Sequence, residues 1–584
     1  MHLHQFKKPG VMIFIRIFIV NILFFSILSE NPKDRHIFVP PVKIPLLLSA
    51  NFGELRADHF HSGIDIKTQG VSGHEVVAAA SGYVYRISVS PGGFGKAIYL
   101  RHPSGYSTVY AHLDRFAPDI EEYVTEQQYE RKSYLISLFP PKDKFHVNQG
   151  ELIAWSGNSG SSSGPHLHYE IRRSESETPV NPLIFEFGTG DDILPVIERL
   201  HIYPAGKNTM INEQNNTRRF NVSGGHGNYF IPQSNEIRIS GPAGFGIKSY
   251  DLLNDSYNRC AVYSIELKID SSTVFKYVMD EFSFTETRYI NSHIDYETFM
   301  KERTYVHRTW VLPNDKLSVY RNVENRGIFN FNEDKIYHIE IKVSDIHNNS
   351  SVLTFKIRGQ KASPRESAIP SSTGHTIMPY NRANKFTSEN ISVSIPAEAL
   401  YDTLNFKYRK DTGTREMFSE VHYVHDKFTP VHKPYTLAIK PSGIPEGKWS
   451  KALIIQMSDD FRKSALKTSS ADGWLTAQPS AFGMFFAGID TVPPLITAIG
   501  LTPGADLTGK KEMRIRIYDD LAGILSYEPT IDGKWALFEY DQKNNLLIHR
   551  FDPKRITKGS KHNLTLKVTD NVNNTSFFNC DFTW

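Results

Sequence analysis

Three short clusters between residues 51 and 170 carry side chains that could bind a metal ion. They are His61 with Asp65, His112, and His166 with His168. A catalytic zinc ion commonly has three protein ligands, often histidines with a carboxylate, and keeps a fourth position for water. The spacing of His61 and Asp65 allows both to converge on one ion if the loop curls, and Gly63 between them supplies backbone freedom. The clusters therefore predict a zinc hydrolase site.

The remaining histidines supply groups that transfer protons. His166 and His168 are two residues apart, so in a strand both rings lie on one face, one at the metal and one toward the substrate. His112 follows a predicted strand at residues 107–111 and could supply a second free imidazole. Zinc lowers the pKa of its water to about 7, and an imidazole with a reference pKa of about 6.5 exchanges protons near neutrality. Each histidine alone could be structural, but together they predict amide hydrolysis.

The sequence around these clusters predicts a β domain. Short runs rich in Val, Ile and Tyr, separated by Gly, are typical of antiparallel strands. The predicted strands cover residues 75–79, 83–89, 96–100, 107–111, 152–156 and 166–171. Residues 119–138 differ, because they are charged, lack Gly and Pro, and space their apolar side chains as a helix does. We predict a helical insertion there, either a lid beside the cleft or a surface elaboration.

The first 29 residues are typical of an export signal. Lys7 and Lys8 precede an apolar run at residues 17–28, and this length fits the roughly 7–15 residues of a secretory signal better than the roughly 20 of a spanning helix. Residues 1–29 are predicted to be a cleaved signal peptide or an uncleaved anchor, and the anchor would be the only membrane contact. In both cases the rest of the chain is exported.

Composition gives broad limits only. A chain of 584 residues predicts three to five domains, and 40% hydrophobic with 22% charged residues is ordinary for folded proteins. The formal net charge of +3 gives no argument for nucleic acid as a partner. Cys260 and Cys580 are the only cysteines, and we predict two unpaired buried thiols.

An internal repeat predicts β-sandwiches in the C-terminal part of the chain. Residues 195–204, 246–250 and 341–350 parallel residues 494–503, 523–527 and 566–575. Each copy ends in an alternating strand, an Asp/Asn turn and a last strand, which favours an immunoglobulin-like sandwich of about 100 residues. The first copy carries an insertion at residues 280–308. A Pro/Ser-rich linker at residues 363–372 and a β-rich block at residues 391–483 predict a third sandwich between the copies.

Residues 51–185 resemble the lysostaphin/LytM-type zinc endopeptidases, which cleave peptide cross-links of bacterial peptidoglycan. The resemblance rests on Asn51-Phe52-Gly53 with Arg56, the H-x-x-x-D of His61 and Asp65, Val77-Ala78-Ala79 with Gly82-Tyr83-Val84, Tyr110-Ala111-His112-Leu113, Gly157-Asn158-Ser159-Gly160, and Gly164-Pro165-His166-Leu167-His168. It implies that His61, Asp65 and His168 bind Zn²⁺ and that His112 and His166 are catalytic. No position of this set is missing, whereas degenerate members of the family only activate other wall hydrolases. The long stretch of residues 114–148 departs from the family pattern.

The predicted fold is mainly β, with an N-terminal antiparallel β-sheet zinc peptidase domain and about three β-sandwich domains. The predicted boundaries are 1–29 for the signal or anchor, 38–188 for the peptidase domain with its helical insertion at 119–138, 191–360 and 490–584 for immunoglobulin-like sandwiches, and 373–488 for a further sandwich-like domain.

The predicted function is an exported zinc metalloendopeptidase that hydrolyses peptidoglycan cross-links during wall remodelling. Its partners would be stem peptides and, through the sandwiches, envelope proteins, and it would act in the periplasm or cell envelope or be secreted. Two alternatives remain: a non-catalytic envelope protein that binds peptidoglycan or activates amidases, and a secreted peptidase that attacks other proteins or a competitor's wall.

Overall fold

The computed structural model describes residues 37–187, 190–232, 236–361 and 376–584. The predicted signal or anchor at residues 1–29 and the predicted linker at residues 363–372 lie outside these ranges. Among the helices of the described ranges, none has the length and apolar character needed to cross a membrane.

An antiparallel sheet forms the N-terminal part of the chain. Its strands are β1 (Leu48–Ala50), β2 (Ile64–Lys67), β3 (Glu75–Val77), β4 (Gly82–Val89), β5 (Lys96–Arg101), β6 (Tyr106–Phe116), β7 (Ile136–Leu138), β8 (His146–Val147), β9 (Leu152–Ser156), β10 (His166–Arg173) and β11 (Pro179–Val180). The main strand order is β1-β2-β10-β6-β5-β4-β7. All six predicted strands form, and the central position of β10 places the H-x-H motif between β2 and β6.

Strand β2 was missing from the sequence-based prediction, which treated Asp65 as part of a curled loop. Its four residues pair with β10, and Asp65 lies opposite His168. The strand is short and its first three residues are all buried, so it shows no alternation of apolar and polar side chains. Pairing with β10, which only the folded sheet supplies, therefore determines its conformation.

The predicted helix of residues 119–138 is shorter than expected. Helix α1 (Pro118–Arg131) ends where Lys132 adopts a left-handed conformation with φ of 49°. Residues 136–138 instead form β7, which pairs with β4 and buries Ile136 and Leu138 on either side of an exposed Ser137. This alternation is that of an edge strand, and it explains why the helical pattern stops early.

A second unit follows with two layers of strands around one core. Its strands are β12 (Val196–Pro204), β13 (Met210–Ile211), β14 (Arg218–Asn221), β15 (Ser223–Gly225), β16 (Asn228–Phe230), β17 (Ile237–Tyr250), β18 (Ser264–Ile269), β19 (Ser272–Val278), β20 (His307–Arg308), β21 (Tyr320–Val323), β22 (Phe329–Phe331), β23 (Ile336–Ser344) and β24 (Ser350–Gly359). Strand β17 belongs to both layers, because its start pairs with β24 and its later part pairs with β12. The insertion predicted at residues 280–308 contains helices α2 (Ile290–His293) and α3 (Tyr296–Glu302).

Two further units follow: the third packs two five-stranded sheets and one two-stranded sheet around its core, and the fourth packs two sheets around its core. The third contains β25 (Thr376–Met378), β26 (Asn384–Ser388), β27 (Ile391–Ile395), β28 (Leu404–Phe406), β29 (Tyr408–Asp411), β30 (Val421–Val424), β31 (Thr436–Ile439), β32 (Ala452–Met457), β33 (Lys463–Ala465), β34 (Thr468–Ala471), β35 (Trp474–Ala477) and β36 (Gly483–Ile489). The fourth contains β37 (Leu495–Ile499), β38 (Ala505–Asp506), β39 (Glu512–Tyr518), β40 (Ile524–Ile531), β41 (Lys534–Trp535), β42 (Glu539–Asp541), β43 (Leu546–Arg550), β44 (Lys561–Asp570) and β45 (Thr575–Thr583). The predicted mainly β fold with sandwich units is confirmed, and the immunoglobulin-like assignment stays a prediction.

Strand pairing corrects one part of the internal repeat. Val196 of β12 faces Tyr250 of β17, and Leu495 of β37 faces Tyr518 of β39. Tyr250 is therefore equivalent to Tyr518, not to Tyr527, which lies in β40 opposite β44. The similarity of residues 246–250 to 523–527 was a misleading match between different strands. Cys260 and Cys580 are both buried and unpaired, as predicted.

Candidate active site

Strand pairing brings together the three predicted metal ligands. Asp65 of β2 faces His168 of β10, and His61 lies just before β2. Asp65 Oδ1 is 3.0 Å from His61 Nε2 and 2.9 Å from His168 Nδ1, and the two nitrogens are 3.0 Å apart. All three residues are buried, with 3% to 8% of their surface exposed. The three atoms thus converge on one small space.

Hydrogen bonds on the far side of each ring determine which nitrogen faces this space. His61 Nδ1 donates to the carbonyl oxygen of Asn51 at 2.8 Å, and His168 Nε2 donates to Glu170 Oε1 at 2.9 Å. Glu170 is fully buried, which would raise its pKa, but Arg172 and the bond from His168 lower that pKa to about 2. Because these partners only accept, a neutral ring at either position carries its proton on the far nitrogen, and His61 Nε2 or His168 Nδ1 then offers a lone pair to a metal ion.

The convergence of these atoms fits a zinc ion. Two imidazole nitrogens and a carboxylate oxygen face one another within 3.0 Å. Burial alone would lower the pKa of His168, but its hydrogen bonds to Asp65 and Glu170 raise that pKa to about 9. The carboxylates thus favour a positive charge at this place, which a metal ion can supply. Tetrahedral zinc with ligands at about 2.0–2.1 Å needs donor atoms about 3.3 Å apart, close to the 2.9–3.0 Å separations seen here. The predicted cofactor Zn²⁺ therefore suits this donor set.

His112 and His166 lie beside the three ligands. Their ring centroids are 4.8 Å apart, and His166 Nε2 is 3.5 Å from Asp65 Oδ1. His112 Nδ1 donates to Ser159 O at 2.9 Å, and His166 Nδ1 donates to Gly164 O at 2.8 Å. Both rings are therefore anchored through Nδ1 to a backbone carbonyl. This leaves Nε2 as the nitrogen that can meet a reacting molecule, and in His166 that nitrogen also contacts Asp65. The structure brings all five predicted site residues together.

The backbone of His112 is strained. Its φ of 59° lies in the left-handed region that non-glycine residues rarely adopt, and the pairing of β6 with β9 is irregular directly after it. The His112 amide donates to Phe94 O at 2.9 Å, which helps to hold this conformation. Burial and the neighbouring His168 and His166 lower the pKa of His112 to about 3, so the ring is neutral near pH 7. Such strain commonly marks functional positions.

Gly63 has a different role from the one expected. A Cβ atom there would lie 2.3 Å from the carbonyl oxygen of Tyr169. The glycine is required because β10 approaches closely, and its φ is outside the left-handed range. Its position in the motif thus reflects packing of the two ligand-bearing segments rather than a curled loop.

Several residues that hold the site were not predicted from the sequence. Glu170 orients His168, and its position two residues later on the same strand face was the available signal. Ser159 and Gly164 belong to quoted motifs, but their carbonyl contacts require the folded loop. His102 is also buried, and it bonds to Ser81 O and Thr108 Oγ1.

The fourth unit contacts the loop that anchors both outer histidines. Lys543 Nζ donates to Asn158 O and, at 2.8 Å, to Ser162 O. These carbonyls lie on either side of Ser159, the acceptor for His112. Lys96 Nζ, which is buried, also pairs with Glu539 Oε1 at 3.2 Å. The chain therefore places its C-terminal unit against the rim of the site.

The segment containing α1 lies against this same unit. Tyr129 packs edge-on against Trp535 with ring centroids 5.1 Å apart, and Arg555 lies over the Tyr129 ring. Glu122 pairs with Lys554 at 2.8 Å between exposed side chains. Of the two roles predicted for the insertion, these contacts favour a structural surface that receives the fourth unit.

Family comparisons agree with the site. Residues 59–129 and 135–182 match the model of Peptidase family M23, with a break only at residues 130–134 inside the stretch that departs from the resemblance. Residues 375–490 match the model of a Zu5-like domain, which covers the third unit. The sequence-based prediction of the peptidase family is thereby confirmed.

Curated relatives match about a quarter of the chain. An uncharacterized metalloprotease of Haemophilus influenzae is 37% identical over 153 residues, 26% of this chain and 23% of the relative. A DD-carboxypeptidase/endopeptidase Mpg of Neisseria meningitidis is 34% identical over 123 residues, 21% and 22% of the two chains. A murein hydrolase activator NlpD of Salmonella dublin is 33% identical over 133 residues, 23% and 27%. The chain thus spans about a quarter of each relative.

Proposed function

Because residues 59–182 contain a domain of peptidase family M23, we propose that this protein is a zinc metalloendopeptidase that hydrolyses peptide bonds in peptidoglycan cross-links. The observation that carries the proposal is the complete set of five residues: three convergent metal donors, and beside them two further histidines that are anchored through Nδ1 to backbone carbonyls. A site that only held a structural ion would not need the second pair.

The five residues have separate roles in this proposal. His61, Asp65 and His168 hold the zinc ion, which when bound polarises the scissile carbonyl and acidifies a water molecule. His112 presents a neutral Nε2 that can take a proton from the attacking water, since the low pKa of its ring keeps it unprotonated near pH 7. His166, close to Asp65, is placed to donate a hydrogen bond to the developing oxyanion once protonated.

Peptidoglycan as substrate is supported by the relatives. The Neisseria relative is named for carboxypeptidase and endopeptidase activity, and the Salmonella relative for activation of murein hydrolases. The predicted export signal would place the chain in the envelope, where such substrates occur. The sandwich units would then position the peptidase domain on the wall or on an envelope protein.

The test is digestion of purified peptidoglycan by the zinc-loaded full chain, with products identified by mass spectrometry. The informative variant is His112→Asn, because asparagine tolerates left-handed backbone and should keep the fold and the zinc. Loss of proton transfer is expected to slow cleavage by about 10²–10⁴-fold. His146→Asn, an exposed histidine of the same domain, is the matched control and should cleave like the wild type.

The similarity to a murein hydrolase activator supports one alternative, in which the chain binds peptidoglycan and activates amidases. In that case the zinc-loaded wild type would leave peptidoglycan intact and would accelerate cleavage by an added amidase. Equal stimulation by wild type and His112→Asn would favour this alternative over the peptidase.

A further inference from the structure

Two clusters of three aspartates share no residue with the zinc site. The first Asp trio is Asp191, Asp251 and Asp345, and the second Asp trio is Asp490, Asp519 and Asp570. Within each trio, one carboxylate oxygen from every residue lies within 4.8 Å of the others. In the described ranges, none of the six carboxylates has a Lys, Arg or His nitrogen within 4.0 Å. Each trio thus concentrates negative charge without a cationic side chain.

The two trios occupy equivalent positions in the repeated units. Asp191 and Asp490 precede β12 and β37, Asp251 and Asp519 follow β17 and β39, and Asp345 and Asp570 stand at the ends of β23 and β44. The hydrogen bonds also repeat, since Asn349 donates to both oxygens of Asp345 and Asn574 donates to both oxygens of Asp570. The same construction at two places in one chain argues against a chance cluster of acids.

Burial makes both clusters costly without a ligand. Asp251 is 2% exposed, yet its Oδ1 has no hydrogen-bond donor among the described residues. Asp191 Oδ2 in the same trio and Asp519 Oδ2 in the other are also buried without a donor. Like charges at such short range repel, and a buried carboxylate oxygen needs a donor or a cation. The unpartnered oxygens therefore point to a missing positive ligand.

Each trio lies where its unit docks onto the unit before it. Leu253 and Ile346, neighbours of the first trio, pack against the core of the N-terminal sheet. Leu521 and Val572, neighbours of the second trio, pack against Leu453, Ile455 and Phe486 of the third unit. Asp191 and Asp490 themselves belong to the segments that connect the units. A ligand bound by all three aspartates of one trio would therefore link the connecting segment to the two loops that carry the other aspartates and pack against the preceding unit.

We propose that each Asp trio binds one calcium ion and that the two ions fix the orientation of the second and fourth units on their predecessors. All ligands are carboxylate oxygens, which hard divalent cations prefer. Calcium suits the site better than magnesium because it accepts six to eight oxygens in irregular geometry, whereas magnesium requires a near-ideal octahedron.

The first ion would also support the zinc site. Asp251 and Cys260 exchange two backbone hydrogen bonds of 2.9 Å, and the next residue, Ala261, exchanges two hydrogen bonds of 2.8 Å with the Asn51 side chain. The carbonyl of Asn51 in turn orients His61. Calcium at the first trio would therefore stiffen the loop that positions a zinc ligand.

Equilibrium dialysis of the zinc-loaded full chain against radioactive Ca²⁺ tests the proposal, with zinc content measured on the same samples. Two calcium ions per chain are expected for the wild type, one each for Asp251→Asn and Asp519→Asn, and none for the double variant. Asp255→Asn and Asp520→Asn change exposed carboxylates next to the trios and should keep two ions. Calcium should raise the melting temperature of the wild type and not that of the double variant.

The contrary outcomes are distinct. Absence of calcium binding by the wild type, or binding that both trio variants retain, would overturn the proposal. A melting temperature that is unchanged by calcium but raised by Asp251→Asn would show repulsion that calcium does not relieve, and it would also overturn the proposal. If Asp251→Asn fails to fold, the number of calcium ions bound by the wild type and by Asp519→Asn still tests the proposal.

Discussion

Asp65 and His168 lie opposite each other on adjacent antiparallel strands, with Asp65 Oδ1 2.9 Å from His168 Nδ1. On its other side, His168 faces Ala111, the residue before His112. The pairing register of β2, β10 and β6 therefore determines where Asp65 and His168 lie relative to each other and to His112, one of the two outer histidines. A one-residue slip of β2 would turn Asp65 to the other face of the sheet.

Asp65→Asn should abolish stable zinc binding. Asparagine keeps the shape but removes the negative charge that neutralises the ion between two imidazoles. Zinc content after dialysis, measured by atomic emission, should fall to background, while Asp58→Asn, an exposed aspartate nearby, should retain zinc. Zinc retained by Asp65→Asn at the wild-type level would remove Asp65 from the ligand set.

Glu170→Gln should weaken zinc binding without removing a ligand. The carboxylate accepts from His168 Nε2 and from Arg172 Nε, the latter at 2.6 Å, so an amide would turn one of its acceptors into a donor. Substitution of such orienting groups commonly costs about 10–100-fold in metal affinity, measurable by competition with a zinc chelator. Glu177→Gln changes a half-exposed partner of the same Arg172 and should bind zinc normally.

Local sequence information was sufficient for the ligand types and for most strands of the N-terminal sheet. The H-x-H spacing placed two rings on one face because β10 is regular, and the Gly-separated runs became β3, β4, β5, β6, β9 and β10. It was insufficient for β2 and for the end of α1, since both depend on pairing with distant strands. Sequence similarity also gave the wrong equivalent for Tyr250 in the internal repeat, because that equivalent is defined by the register of strand pairing.

The low pKa of His112 predicts a pH-dependent stability contribution. The unfolded chain takes up a proton at this histidine below about pH 6.5, whereas the folded chain does so only near pH 3. The free energy of unfolding should therefore decrease as pH falls through this window, by up to about 1.4 kcal/mol per pH unit. Calorimetric comparison with His112→Asn should show the variant gaining stability relative to wild type from pH 7 to 4. A constant difference would contradict the assigned pKa.

Lys543→Ala should slow catalysis while leaving the metal in place. The side chain holds the carbonyls of Asn158 and Ser162 on either side of the His112 acceptor, so its removal loosens the loop that orients both outer histidines. A decrease of kcat with unchanged zinc content is expected. Lys558→Ala, on an exposed part of the same unit, should leave kcat unchanged. Equal kcat values for the two variants would show that the Lys543 contact does not contribute to catalysis.

Contacts between distant parts of the chain could not be predicted from the sequence. The contact of Lys543 with the loop around Ser159 and that of Asn51 with Ala261 join segments hundreds of residues apart. No periodicity or motif encodes such pairs, because they arise only when complete units dock. The aspartates of the two trios were likewise separated in sequence and became clusters only through strand register.

The most direct test of the central claim is digestion of peptidoglycan in ¹⁸O-labelled water by the zinc-loaded full chain. Hydrolysis should place one ¹⁸O atom in the new carboxyl group at a stem-peptide cross-link and release a matching amino terminus, both detected by mass spectrometry. His112→Asn, with the same zinc content, should yield at least about 100-fold less of this product. Intact, unlabelled cross-links after incubation with zinc-loaded wild type would contradict the assignment as an endopeptidase.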